Sequence, residues 1–177
     1  MEGKKMQKCR KRIIHAFMEL RAHREIEKIT IVELVAKADV NKSTFYAYYH
    51  DIYDLSEQLQ EEVIDRIASA VPHPENIIKD IQQFTRDVLF AYEKERMEIR
   101  ILFSGSQSSR LPMMVKNKIM EMIREYITAG EYDERKISVI ANYKIYGAYY
   151  AYIEETGMNE MQKIDYISKL TGGLLPE

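Results

Sequence analysis

The stretch TIVELVAKADVNKSTFYAYYHDIYDL, residues 30–55, contains three helix starts within twenty-six residues. Thr30 is followed three residues later by Glu33, a capping-box pattern ahead of an apolar run, which predicts a short helix directly after the threonine. Asn41 and Asp51 are the next residues of the type that accepts hydrogen bonds from the free N–H groups of a first helical turn. The stretch therefore predicts two short helices and the start of a long third one.

The first two helices are separated only by Ala38-Asp39-Val40, which is too short for anything but a tight turn. Asp39 falls where the chain must reverse, and aspartate is among the few non-glycine residues that tolerate a left-handed conformation. Leu34, Val35 and Phe45 are then expected to face one another across the turn. This pattern is typical of a helix-turn-helix, in which the second helix is presented outward.

The outward side chains of this second helix are cationic, hydroxylic or phenolic. Such groups suit the phosphate oxygens of duplex DNA and the base edges in its major groove. We therefore predict that the DNA-contacting residues include Lys42, Ser43, Thr44, Tyr46 and Tyr48.

These residues resemble the DNA-binding domain of the TetR family of transcriptional regulators. The matching positions, in the order and spacing of the family, are Thr30, Leu34, Ala38, Val40, Ser43-Thr44-Phe45-Tyr46, Tyr48-Tyr49 and Leu55. The chain departs from the family pattern at the turn glycine (Asp39), at a glycine ahead of the capping threonine (Glu25) and at a lysine opening the fourth helix (Ile52). The resemblance implies that Thr30 and Tyr46 anchor DNA phosphates, and it assigns no such role to Ile52.

Positive charge is concentrated near the N-terminus, although the chain as a whole has a formal net charge of −2. Residues 1–50 hold eleven Lys and Arg against six Asp and Glu, a balance of +5, which leaves −7 for the remainder. A basic arm precedes the helix-turn-helix and consists of Lys4, Lys5, Lys8, Arg10, Lys11 and Arg12. Such an arm attracts phosphates without sequence preference, so we predict DNA contacts from Lys4 and Lys5 as well.

The composition predicts an all-α protein, because seven Gly and four Pro in 177 residues are too few for the turns that many strands would need. Pro72 and Pro74 cannot continue a helix and mark a boundary. We expect a helix-turn-helix domain over residues 1–50, a connecting helix over 51–70, and a C-terminal helical ligand-binding and dimerisation domain over 71–177.

The same sequence argues against several other classes of protein. It has no glycine-rich phosphate loop and no H-E-x-x-H motif, and its four histidines form no metal-ligand pattern. We therefore expect no enzyme, no metal and no cofactor. The single cysteine excludes a disulfide within the chain, and no apolar run reaches the length of a membrane span. These features favour a cytoplasmic protein without a membrane partner.

The C-terminal part predicts further amphipathic helices, near residues 75–95, 111–129 and 159–171. Five methionines lie between residues 97 and 122, namely Met97, Met113, Met114, Met120 and Met122. Methionine adapts to irregular apolar space. A pocket for a small apolar or aromatic effector is therefore predicted at Phe84, Val88, Met120 and Met122, with ordinary core packing as the alternative.

A tyrosine-rich seam runs along the helix that precedes Thr156-Gly157. Its residues recur at alternating spacings of three and four, which is typical of a surface that packs against another helix. Because tyrosine combines apolar area with a polar tip, we predict a homodimer interface rather than internal core. The predicted interface residues are Tyr143, Tyr146, Gly147, Tyr150, Ile153, Ile164 and Ile167. The TetR resemblance implies the same arrangement, with two helices from each protomer in a four-helix bundle.

The sequence as a whole predicts a sequence-specific DNA-binding transcriptional regulator that binds an inverted-repeat operator as a homodimer. By resemblance it is a repressor released by a small-molecule effector of unknown identity. The alternative is a helical protein-interaction module that retains the helix-turn-helix shape without specific DNA binding, and the absence of a lysine at Ile52 favours it.

Overall fold

The computed structural model describes residues 2–126 and 133–173, without the side chains of residues 2–5 and of Glu134. Within these residues every long regular element is an α-helix, which confirms the predicted fold class. The helices are α1 (Glu2–Arg21), α2 (Ile31–Ala38), α3 (Lys42–Tyr46), α4 (Ile52–Ser69), α5 (Asn76–Lys79), α6 (Ile81–Leu102), α7 (Arg110–Tyr126), α8 (Glu134–Ile153) and α9 (Glu160–Gly172). No helix of the described chain is both long and apolar enough to cross a membrane.

The chain divides into two compact units. The first unit combines Met1–Glu62 with Met97–Ser109, and the second combines Val63–Arg96 with Arg110–Glu177. The prolines after Val71 predict the end of α4, and α4 does end at Ser69. The predicted domain bounds do not place the segment Met97–Ser109 in the N-terminal unit, to which it belongs.

The first unit has an apolar core to which α1 to α4 all contribute. α1 packs against both α2 and α3. Phe17 of α1, Leu34 of α2, Phe45 of α3 and Leu55 of α4 are all fully buried. Each of the four helices thus contributes at least one apolar side chain that is removed from water. This burial holds α2 and α3 in place, because neither short helix would be stable alone.

Segment Met97–Ser109 is held within this unit by hydrogen bonds to main-chain carbonyl groups. The Gln60 side chain donates from Nε2 to the carbonyl oxygen of Leu102 at 3.0 Å. The buried guanidinium of Arg21 donates to the carbonyl oxygen of Ser104 at 2.9 Å and to that of Arg24 at 2.7 Å. These carbonyl groups lie at the end of α6 or in loops, where no N–H group of a helix is available as a donor. The two side chains supply the hydrogen bonds instead.

The second unit differs locally from the single helix predicted over residues 75–95. Asp80 breaks the helix, because its backbone leaves the helical region and its carboxylate accepts the N–H of Gln83 at 3.0 Å. This is an N-cap interaction, and it starts α6 as a new helix after the short α5. α6 then runs beyond Glu95 to Leu102. The predicted end of the next helix at Gly130 lies outside the described residues.

Two apolar clusters form the core of the second unit. The first consists of Val71, Ile77, Phe84 and Met122. The second consists of Leu89, Tyr152, Ile164 and Ile167, and in it the rings of Tyr92 and Tyr152 meet edge to face with centroids 5.5 Å apart. α8 packs against both α7 and α9. The C-terminal helices therefore bury one face of α8 within the protomer.

Replacing the buried Arg21 by methionine should destabilise the first unit by about 2–4 kcal/mol, because carbonyl groups that it satisfies would lose a charged donor. The same change at Arg24, whose exposed ion pair with Glu33 spans 2.7 Å, should cost less than about 1 kcal/mol. Urea unfolding of both variants measures the difference. Equal losses for Arg21→Met and Arg24→Met would contradict a structural role for the buried guanidinium.

Candidate nucleic-acid interface

The turn between α2 and α3 is made by Asp39 in the left-handed conformation, with φ 50° and ψ 54°. It is closed by the N–H of Val40, which donates to the carbonyl oxygen of Val35 at 3.0 Å. Arg12 of α1 supports it from outside, because its Nη2 donates to the Asp39 carbonyl oxygen at 2.7 Å and also to the Asp39 carboxylate. The predicted helix-turn-helix geometry is confirmed, including the unusual backbone at Asp39.

The helix starts form at the predicted positions, with different cap chemistry. Thr30 Oγ1 accepts the N–H of Glu33 at 3.2 Å, so the threonine caps α2. Asp51 Oδ1 likewise accepts the N–H three residues later at 2.9 Å. Asn41 occupies the cap position of α3, but its side chain makes no capping hydrogen bond. The apolar contact of Phe45 therefore holds this short helix more than its cap does.

α3 turns one side chain inward and leaves its polar side uncovered. Phe45 is fully buried, whereas Lys42 and Ser43 are exposed and Tyr46 is 56% exposed. Thr44 is half-buried. Three of the predicted contact residues on α3 thus lie on the free surface of one helix, where a duplex can reach them.

Tyr48 lies beyond the end of α3 and does not share that free surface. It is half-buried, and its hydroxyl donates to the carbonyl oxygen of Met6 at 2.6 Å. The prediction that Tyr48 faces outward extends the helical face past Tyr46, where α3 ends. In the structure Tyr48 joins the start of α1 to the end of the helix-turn-helix, and its role in contacting DNA stays a prediction.

The basic arm is divided by ion pairs that the sequence did not reveal. Arg10 is paired with Glu62 of α4, and Arg12 is paired with Asp39. The partners are 52 and 27 residues away in the chain, so no local pattern could have indicated them. These two arginines stabilise the N-terminal unit and are partly neutralised there.

The lysines of the arm remain as candidates for phosphate contacts. Lys8 and Lys11 are exposed on α1. The side chains of Lys4 and Lys5 lie outside the described residues, so their predicted DNA contacts stay predictions. An additional cation, Lys37 of α2, lies beside the arm. It was not among the predicted contacts, because in the sequence it belongs neither to the arm nor to α3.

An open cleft of about 300 Å³ lies between α1 and α2. Lysine, arginine and histidine side chains dominate its walls, and it is lined by Lys8, Lys11, Arg12, His15, Ala16, Glu19, Lys37, Ala38 and Asp39. Lys37 Nζ lies 3.0 Å from Glu19 Oε2, and this contact lowers the pKa of the Glu19 carboxyl group. Arg12 and Lys37 are paired there with Asp39 and Glu19, so the positive charge that the cleft presents beside the helix-turn-helix is that of Lys8 and Lys11.

Comparison with solved structures identifies the fold. A TetR transcriptional regulator from Streptococcus agalactiae superimposes with a TM-score of 0.64 at 19% sequence identity, covering 97% of each chain. The chain has the fold of the TetR transcriptional regulators. The TetR-like regulator LfrR from Mycobacterium smegmatis, solved with proflavine, matches at 22% identity over 96% of this chain and 99% of its own, with a TM-score of 0.44. Neither a protein-family model nor a curated protein matches the sequence.

In this TetR fold, one face of α8 is uncovered. Tyr143 is 67% exposed and Tyr150 is 56% exposed, and Gly147 and Ile153 are exposed beside them. Tyr146 is half-buried. A side chain added at Gly147 would meet no atom within 4 Å, so this part of the helix is open to the close approach of another backbone. The predicted interface role of these five residues stays a prediction.

The two α9 residues assigned to the same interface are placed elsewhere. Ile164 and Ile167 are buried within the protomer, in the cluster that contains Leu89 and Tyr152. Their helical spacing favours a place beside the exposed seam, but spacing alone does not tell which side of α9 faces α8. The exposed apolar residues of α9 are instead Met161, Tyr166 and Leu170.

The residues predicted to line an effector pocket lie within or beside the apolar core of the TetR-like second unit. Phe84 and Met122 are buried in one cluster, and Val88 packs against it. Met120 is half-buried on α7. These contacts are those of ordinary core packing, the alternative that the sequence left open, and a pocket at these positions stays a prediction.

Asp39→Ala should be less stable than Asp39→Gly by about 1 kcal/mol. In the left-handed conformation alanine carries a steric penalty that glycine avoids. Both variants lose the contact between the Asp39 carboxylate and Arg12, and both keep the hydrogen bond from Arg12 to the main-chain carbonyl oxygen. Urea unfolding monitored by far-UV circular dichroism measures the difference. An Asp39→Ala variant as stable as Asp39→Gly would show that the turn does not require this backbone conformation.

Proposed function

We propose that this protein is a sequence-specific DNA-binding transcriptional regulator that binds an inverted-repeat operator as a homodimer. The observation that carries the proposal is the helix-turn-helix whose second helix leaves Lys42, Ser43 and Tyr46 uncovered. A cation, a hydroxyl and a phenol suit phosphates and base edges, and an outward recognition helix is the way this motif enters a major groove.

Thr30 and the arm lysines complete the proposed interface. Thr30 is exposed, and its oxygen accepts the capping hydrogen bond, so its hydroxyl hydrogen remains free to be donated to a phosphate. Lys8 and Lys11 add charge that raises affinity for any duplex. Contacts to phosphates fix the position of the protein on DNA, while α3 reads the sequence.

A homodimer explains the uncovered tyrosine face of α8. Two copies joined there would present two recognition helices to successive major grooves, about 34 Å apart, and would select an inverted repeat. We propose repression as the outcome and the cytoplasm as the location. A small effector bound by the second unit would weaken operator binding, by a coupling of about 1–3 kcal/mol if it is typical.

The presence of isoleucine at position 52 is the observation that favours a protein partner over DNA. Ile52 is only 6% exposed, so it serves the core and supplies no phosphate contact at the start of α4. The rival function is a protein-interaction module that uses the same helix-turn-helix surface without reading DNA. The exposed lysine and hydroxyl groups on α3 support the DNA-binding function over this alternative.

Selection of bound duplexes from a random DNA pool should enrich an inverted repeat. On that operator, Tyr46→Ala should lose about 1–3 kcal/mol of binding free energy, because a hydrogen bond from its hydroxyl to DNA is removed. The salt dependence should stay unchanged, because the phenol is neutral and displaces no counterion. Lys42→Ala should weaken binding to all sequences and lower the salt slope by about one. Fluorescence anisotropy at several salt concentrations measures both quantities.

Tyr126→Ala, a change of the same kind at an exposed position of α7, is the matched control and should bind as the wild type does. Salt-sensitive binding without any enriched sequence would contradict sequence-specific regulation and would indicate a non-specific DNA-binding protein. Absence of DNA binding would favour the protein-interaction module.

Placing an arginine at Tyr150 should convert the homodimer into monomers, because a charge would be buried in the proposed interface without a partner. Analytical ultracentrifugation measures the change. Tyr126→Arg introduces the same charge at an exposed site outside the tyrosine face and should leave the dimer intact. A wild-type protein that is monomeric at micromolar concentration, or a dimer that survives Tyr150→Arg, would contradict the proposed interface.

A further inference from the structure

Tyr48 makes a contact that its place in the sequence does not indicate. Its hydroxyl donates a hydrogen bond at 2.6 Å to the carbonyl oxygen of Met6, which lies 42 residues earlier in the chain. A carbonyl oxygen has two lone pairs, so Met6 can accept this bond in addition to one within α1. A phenol has a single hydroxyl proton, and Tyr48 has already donated it. In this geometry Tyr48 has no proton to donate to a DNA phosphate.

The position of Tyr48 is fixed relative to α3 by backbone and ring contacts. Its N–H donates to the carbonyl oxygen of Phe45 at 3.0 Å. Its ring lies against that of Tyr49 with the centroids 6.1 Å apart, and the rings of Tyr49 and Phe45 meet at 5.6 Å. Phe45 and Tyr49 are both buried, so this row of three rings is anchored in the core. The Tyr48 hydroxyl therefore ties Met6 to a well-packed part of the helix-turn-helix.

Met6 lies among the lysines of the basic arm. It directly follows Lys4 and Lys5 and comes two residues before Lys8. The ion pairs of the two arginines hold α1 only further along the chain. Helix ends fray, and a loose arm must be ordered when it binds DNA, at a cost in conformational entropy. The hydrogen bond from Tyr48 removes part of that cost before DNA is bound.

We propose that Tyr48 is a positioning residue of the DNA interface. In place of the direct contact that the sequence predicts, its hydroxyl holds the first turns of α1 in register with α3, so that the arm lysines meet phosphates while α3 lies in the major groove. This inference rests on the proposed DNA binding and specifies how the basic arm takes part in it. The role differs from that of Tyr46, whose side chain lies on the free surface of α3.

The salt dependence of binding separates a positioning role from a direct contact. The phenol is neutral, so a hydroxyl that itself bound a phosphate would displace no counterion. A hydroxyl that holds lysines close to phosphates acts on counterion release through those lysines. Its removal should therefore lower the slope of affinity against salt, although no charge has been removed from the protein.

The test measures the affinity of the full chain for the selected operator and for a duplex of random sequence, by fluorescence anisotropy at several salt concentrations. Tyr48→Phe removes the hydroxyl and keeps the ring that packs on Tyr49. Tyr46→Phe makes the same change at the proposed direct contact. Tyr126→Phe makes it at an exposed position of α7 and is the matched control.

Each of these changes is made in the wild type and again in an arm-neutral variant, Lys4→Gln/Lys5→Gln/Lys8→Gln. Glutamine keeps a high helix propensity and removes the positive charge, so the first turns of α1 are retained without their phosphate contacts. The pair of backgrounds forms a double-mutant cycle between the tyrosine and the arm.

In the wild type, Tyr48→Phe should weaken binding to both duplexes roughly two- to tenfold, the range for one hydrogen bond, and should lower the salt slope. In the arm-neutral variant the same change should have almost no effect, because no arm charge is left to position. Independent contacts have factors that multiply. Tyr46→Phe should accordingly cost the same factor in both backgrounds, with an unchanged salt slope, and Tyr126→Phe should bind as the wild type does.

A measurement without DNA tests the hydrogen bond itself. Amide hydrogen exchange followed by mass spectrometry should be faster over residues 2–12 in Tyr48→Phe than in the wild type. Exchange in the rest of the first unit should stay as slow as in the wild type, which shows that the variant is folded. Tyr126→Phe should leave exchange over residues 2–12 unchanged.

Three results would overturn the inference. The first is that Tyr48→Phe binds both duplexes as the wild type does. The second is that it costs the same factor in both backgrounds at an unchanged salt slope, in which case the phenol contacts DNA directly. The third is unchanged exchange at the start of α1, which would show that the hydrogen bond does not hold the arm.

These outcomes are distinguishable from a failure of the proposed function. If no operator is selected but the random duplex is bound, coupling between Tyr48 and the arm lysines on that duplex leaves the positioning role standing without sequence-specific regulation. If an operator is found and the effect of Tyr48→Phe is independent of the arm charges, the regulator stands and the positioning role fails. Absence of any DNA binding would overturn both.

Discussion

At Asp39 the chain reverses within a single left-handed residue, and the geometry of the N-terminal unit depends on that reversal. Without it, the apolar face of α2 and the single buried ring of α3, Phe45, could not meet. Because α3 has only five residues, it gains little from its own hydrogen bonds and is held by tertiary contacts. Arg12 reinforces the reversal by binding both the carbonyl group and the carboxylate of Asp39. The same contact uses a cation that the sequence assigned to DNA.

The N-terminal unit also depends on a part of the chain that is distant in sequence. Segment Met97–Ser109 is attached through Arg21 and Gln60, which bind carbonyl groups of Ser104 and Leu102. Hydrogen bonds of this kind are directional, so they fix the segment in one register more sharply than apolar contacts would. The end of α6 thus belongs to the N-terminal unit, although the earlier part of the same helix belongs to the second unit.

Two faces of α8 present different physical problems. The outer face exposes Tyr143 and Tyr150, whose rings are large apolar surfaces that an interface between two copies would cover. On the inner side, Ala141 and Ile145 are buried, and Ala148 packs against the cluster that contains Leu89 and Tyr152. One helix thus contributes one face to the core of its own protomer and leaves large apolar rings exposed to water on the other.

The helix-turn-helix could be predicted from residues 30–55 because its signals are local. The cap at Thr30, the left-handed Asp39 and the inward Phe45 each depend on neighbours within a few residues, so the stretch from residue 30 to residue 55 was predicted with its turn and its exposed helix. The all-α class followed from the small number of Gly and Pro residues in the chain. Tertiary structure alone decided which of several helical faces is buried. Ile164 and Ile167 repeat as regularly as the exposed tyrosines do, yet they face the core, and Arg10 finds its partner 52 residues away. Periodicity shows that a helix has an apolar face, but packing against other helices decides what that face contacts.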